Sequence, residues 1–99
     1  MGDYDAAGEL AATAGGSRED LYNLGEVECG QGNIDAAAEW YEKSSAVDPN
    51  WVKPLFKLAL VALNKGDIET AKQFFAQVVE KEPNSEEGAQ AQATLAALP

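Results

Sequence analysis

From position 18 onward the apolar residues recur at intervals of three and four. Leu21, Leu24 and Val27 are followed by Ile34, Ala37 and Tyr41, then by Leu55, Leu58 and Val61, and then by Ile68, Ala71 and Phe75. That spacing places each group on one face of a helix, and no segment shows the strict alternation of a strand. Breakers divide the pattern: Gly30-Gln31-Gly32, Pro49-Asn50, the Gly66 region and Pro83-Asn84. The predicted helices are therefore 18–30, 34–47, 52–64 and 68–81. Ser17 can cap the first, with Asp20 completing a weak capping box. Pro54 falls in the first turn of the third, where a missing N–H costs little. The helices at 34–47 and 68–81 stop short of Pro49 and Pro83, because the residue before a proline avoids the α region.

The pattern is written twice. Residues 18–51 align with 52–85 without a gap, at a period of 34, and eight positions are identical: Leu21/Leu55, Leu24/Leu58, Val27/Val61, Gly32/Gly66, Ile34/Ile68, Ala37/Ala71, Pro49/Pro83 and Asn50/Asn84. A period in this range marks stacked supersecondary units, here a helix, a turn and a second helix. The flanks extend it. Gly2-Asp3-Tyr4-Asp5-Ala6-Ala7 is similar to Gly32-Asn33-Ile34-Asp35-Ala36-Ala37, so 4–14 is expected to be the second helix of a preceding unit, joined by Gly15-Gly16-Ser17. Beyond Pro83, Ser85 can cap a helix over 86–97, with Glu86 and Glu87 favourable in its first turn. That helix reads either as the first of a third unit or as a cap with a polar outer face. The chain is expected to be a single domain over 1–99, about six helices in all, and a piece of a longer protein.

These residues resemble the tetratricopeptide repeat. The first unit supplies Leu21, Leu24-Gly25, Ala37-x3-Tyr41 and Pro49. The second supplies Leu55, Leu58-Ala59, Ala71-x3-Phe75 and Pro83. The departures are Leu where the family has Trp, and Glu28 and Ala62 where it has Tyr. The resemblance implies an all-α fold of antiparallel helical hairpins stacked as a right-handed α-solenoid. Gly25/Ala59 and Ala37/Ala71 would let the paired helices approach, and Tyr41/Phe75 would fill the space between units.

Composition narrows the function. Seventeen acidic against seven basic residues give a net charge of −10, with no histidine. A nucleic-acid partner needs a basic patch, and an anionic membrane surface likewise attracts basic segments. Neither is expected as a partner. The acid is uneven: residues 1–50 hold eleven Asp/Glu and two Lys/Arg, net −9, and residues 51–99 hold six and five, net −1. No apolar run approaches the ~20 residues of a membrane span. No secretory leader is visible either. Cytoplasmic localisation is favoured. Without histidine the Ser-His and Cys-His nucleophile systems are absent. No metal-binding or phosphate-binding motif occurs, so no enzyme activity, cofactor or metal is expected. Cys29 is the single cysteine and has no basic neighbour to activate it.

The expected function is a protein–protein interaction module. In proteins that this chain resembles, a stripe on the first helix of each unit lines a concave groove that holds an extended peptide or a helix. The matching residues are Glu19, Tyr22, Asn23, Glu26 and Cys29 in the first unit. In the second they are Lys53, Phe56, Lys57, Leu60, Leu63 and Asn64. Phe56, Leu60 and Leu63 could instead pack beneath neighbouring helices. Lys53 and Lys57 could meet a partner carboxylate or balance Glu19 and Glu26. The pattern that clamps a C-terminal carboxylate in some members does not fit: its positions hold Tyr22 and Glu26, then Lys57, then Glu87 and Ala91. The alternative function is weak self-association or scaffolding through exposed repeat ends.

Overall fold

The computed structural model describes residues 17–99, which form five helices and no strand: α1 (Arg18–Gly30), α2 (Ile34–Val47), α3 (Val52–Asn64), α4 (Ile68–Lys81) and α5 (Glu86–Ala97). The helix expected over 4–14 lies outside the described residues. The chain divides into two compact units between Pro49 and Asn50.

The first unit is the hairpin of α1 and α2. Ser17 Oγ accepts the amides of Glu19 and Asp20 and so starts α1. The Gly32 amide donates to the Cys29 carbonyl and the Asn33 amide to the Glu28 carbonyl, with Gly32 at φ +82°. This pair of bonds around a left-handed glycine stops the helix and reverses the chain. Contacts pair the ends of the hairpin in opposite order: Arg18 meets Ser44 and Asp48, Gly25 meets Tyr41, and Glu28 meets Asn33. Leu21, Gly25, Ala37, Trp40, Tyr41 and Ser44 are buried. Ser44 occupies the position of Val78 in the other unit, and its hydroxyl donates to the Arg18 carbonyl at 2.8 Å.

The second unit adds a helix. Its first turn repeats the device, with Gly66 at φ +79°, its amide on the Leu63 carbonyl and the Asp67 amide on the Ala62 carbonyl. Val52, Leu55, Ala59 and Ala62 of α3 pack with Ala71, Phe75 and Val78 of α4 and Ala91 of α5. Ser85 caps α5 by accepting the Gly88 amide at 2.9 Å, while its hydroxyl donates to the Glu82 carbonyl at 2.8 Å. Gly88 is small for a tertiary reason: a Cβ there would lie 1.9 Å from the Glu82 carbonyl oxygen.

Within their own units, Tyr41 and Phe75 pack against the first helix of the hairpin. Tyr41 lies directly over Gly25, whose missing side chain makes room for its ring. Phase and volume are shared with Phe75, which meets Phe56 edge-on with ring centroids 5.8 Å apart. In the first hairpin the small residue at 25 and the ring at 41 face each other; in the second, Ala59 and Phe75 share the core cluster.

Candidate functional site

In the first unit the proposed stripe runs along α1. Glu19 is exposed and is held by two neighbours, the Ser17 hydroxyl at 2.8 Å and the Arg18 Nε at 3.1 Å. The Ser17 bond first, and Arg18 second, hold its carboxyl below the usual range. Tyr22 is half-buried, its ring centroid 5.6 Å from that of Tyr41. Asn23 and Cys29 are exposed. Glu26 is half-buried and accepts the Tyr41 hydroxyl. Burial pushes that phenol well above its ordinary range, and the Glu26 carboxylate adds to the effect by favouring the neutral donor.

In the second unit the stripe runs along α3. Lys53 and Asn64 are exposed, and Phe56, Lys57 and Leu63 are half-buried. Leu60 is 39% exposed. Phe56 and Leu63 also rest on the core cluster, so each combines packing with exposure. The opposite face of α3 is closed: Leu55, Leu58, Ala59 and Ala62 are all buried. Within its own unit Lys53 pairs with an acid of α5. Its Nζ lies 3.0 Å from Oε2 of Glu87 on α5. This bond holds the Glu87 carboxyl below its usual range. The reason is register, because 53 and 87 are one 34-residue repeat apart and α5 packs in the same unit.

Two contributors were not legible as partners. Glu87 reads in the sequence as a first-turn acid and as a position that departs from the clamp pattern, although its distance from Lys53 equals the repeat period. Glu28 stands where the family has Tyr. It is buried at 8% exposure, with its carboxylate accepting the Asn33 side-chain amide at 2.9 Å. The side chain thus braces the turn that follows α1. Among the described residues no group of three or more His, Cys, Asp or Glu could hold a metal ion. None of their helices is long and apolar enough to cross a membrane.

The family profile described as tetratricopeptide repeat matches residues 29–98. The chain belongs to the tetratricopeptide repeat family. No curated protein sequence matches it. Among solved structures, the Yersinia enterocolitica type III secretion translocator chaperone SycD is similar over 98% of this chain and 78% of that one, with a TM-score of 0.75 and 20% identity. At that identity the likeness is one of fold. The tetratricopeptide repeat assignment accounts for the all-α hairpins, the small residues at 25, 37, 59 and 71, and the matched glycine turns. It also supports a protein-interaction module.

Proposed function

We propose that this chain binds a peptide or a helix of another protein on the stripe of α3. The carrying observation is the asymmetry of α3. Packing consumes Leu55, Leu58, Ala59 and Ala62 and leaves Leu60 exposed beside half-buried Phe56 and Leu63. Lys53 and Lys57 stand next to this apolar strip. An apolar centre with a charged rim is the usual anatomy of a protein-binding patch. Aromatic anchors dominate such patches, whereas exposed charges tune rate and register. Tyr22 is the corresponding ring of the first unit, with Asn23 and Glu26 as its polar neighbours.

The test is a random peptide library selected on the protein, followed by titration of a selected peptide while backbone amide shifts are recorded. Amides of 53–64 should move, with affinity on the order of micromolar or weaker. Phe56→Ala should weaken binding by more than ~1 kcal/mol. Lys53→Ala should mainly reduce the salt dependence. Shifts confined to the surroundings of Trp40 and Phe74, with 53–64 silent, would place the working surface on the second helices instead.

Self-association through the repeat end has less support. On α5 the positions equivalent to Leu55, Leu58, Ala59 and Ala62 are Ala89, Gln92, Ala93 and Ala96, all exposed. Small and polar side chains there suit contact with water better than a second copy.

A further inference from the structure

Lys53 carries a carboxylate already, and it is the protein's own. The Lys53 side chain is 49% exposed, while that of Glu87 is 21% exposed. Glu87 is placed firmly. It sits in the first turn of α5, between the Ser85 cap and Gly88, which is pressed against the Glu82 carbonyl. Lys53 is the long, mobile member of the pair. Phe56 follows one turn along the same stripe, and Leu60 one turn beyond it. The ion pair thus stands at the head of an exposed apolar strip. It also lies in the nearly neutral half of the chain: six acidic and five basic residues occur over 51–99, against eleven and two over 1–50.

We propose that Lys53 is a carboxylate subsite of the α3 stripe and that Glu87 is its built-in competitor. The partner that fits is a segment with one Asp or Glu about a helical turn from an apolar side chain. Its carboxylate displaces Glu87 from Lys53 while the apolar group covers Phe56 and Leu60. A polyacidic segment fits badly, because the net charge of −10 repels it at longer range. The competitor lowers the gain that an acidic segment draws from Lys53, whereas a purely apolar segment leaves the ion pair in place and gains nothing from Lys53. The inference rests on the α3 stripe being the working surface.

The experiment titrates two blocked peptides, Ac-Glu-Ala-Leu-Leu-NH2 and its Gln counterpart, into the whole chain at low salt with amide shifts as readout. The expected result is that the acidic peptide moves amides of 53–60 and binds at least about threefold tighter than the Gln peptide. Glu87→Gln should tighten the acidic peptide by about two- to fivefold, the range of an exposed ion pair. Glu86→Gln makes the same charge change at a neighbouring exposed carboxylate and should do much less. Lys53→Met should erase the preference between the peptides, which keeps the test valid should Glu87→Gln disturb α5. Equal binding of both peptides on α3, with Glu87→Gln no different from Glu86→Gln, would overturn the competitor and leave the stripe standing. Silence of 53–60 with both peptides would overturn both.

Discussion

The same added methyl group should have three different effects at three glycines. At Gly30 a Cβ meets nothing within 4 Å, so Gly30→Ala should gain helix propensity alone, up to ~1 kcal/mol. At Gly25 the Cβ would lie 2.6 and 2.7 Å from Cε1 and Cδ1 of Tyr41. That ring is fully buried and tied through its hydroxyl to Glu26, so it retreats only at a cost. Overpacking of about 1–3 kcal/mol, less the ~1 gained in propensity, leaves Gly25→Ala about 1 kcal/mol less stable. At Gly88 the obstacle is backbone: the Glu82 oxygen at 1.9 Å, with carbonyl carbons of Glu82 and Pro83 at 3.0 Å. Relief there requires α5 to leave α4. Undocking would expose Ala91, which is fully buried, together with Leu95 and Leu98, which rest half-buried on the core. At roughly half of the ~1.5–3 kcal/mol of a buried leucine each, plus ~0.8 for the alanine methyl, docking is worth about 3 kcal/mol. Gly88→Ala should therefore cost about 2 kcal/mol after its propensity gain, and no more than the docking energy. Urea denaturation followed by circular dichroism measures all three. Amide exchange should show the loss at Gly88 confined to 86–97, with 68–81 protected. A Gly88→Ala protein as stable as the wild type, with α5 amides still protected, would refute the close-approach argument.

Tyr41→Ala should cost about 3–5 kcal/mol in the same assay, whereas Glu39→Ala on the exposed face of α2 should stay within about 0.5, and equal small effects would contradict the packing of the first hairpin. The buried Tyr41 phenol has a folded pKa above its unfolded value of ~10. Its contribution is therefore complete below pH ~10 and is lost as pH rises further. Tyr41→Phe should accordingly gain on the wild type between pH 9 and 12 in denaturation midpoints, and a constant gap would remove Tyr41 as the cause. The acid excess predicts a melting temperature that rises with sodium chloride up to about 0.5 M, through screening over ~8 Å at 0.15 M; a fall would mean that local ion pairs such as Arg18–Asp48 and Lys53–Glu87 dominate.

All five described helices run over the ranges that spacing and breakers predict. Helix bounds are set within a few residues of themselves, by a capping serine, a left-handed glycine and a following proline. Such signals need no distant partner to be read. The 34-residue period adds the hairpin pairing, because residues repeated in register must face equivalent neighbours. The choice of side-chain partners was another matter. The sequence did not show that the Tyr41 ring lies directly over Gly25 of its own hairpin. Glu28 looked like a departure from the family, but the tertiary turn brings Asn33 to its carboxylate. Lys53 had several acidic candidates in an acidic chain. The packing of α5 on α4 decided for Glu87, a residue 34 positions away. Nothing in the sequence marks Gly88 as constrained, yet the backbone of Glu82 leaves no room for anything larger. Charge and apolarity recur too often along 99 residues to name their own partners. Those are fixed by distances of a few ångströms, which exist only once the helices have docked.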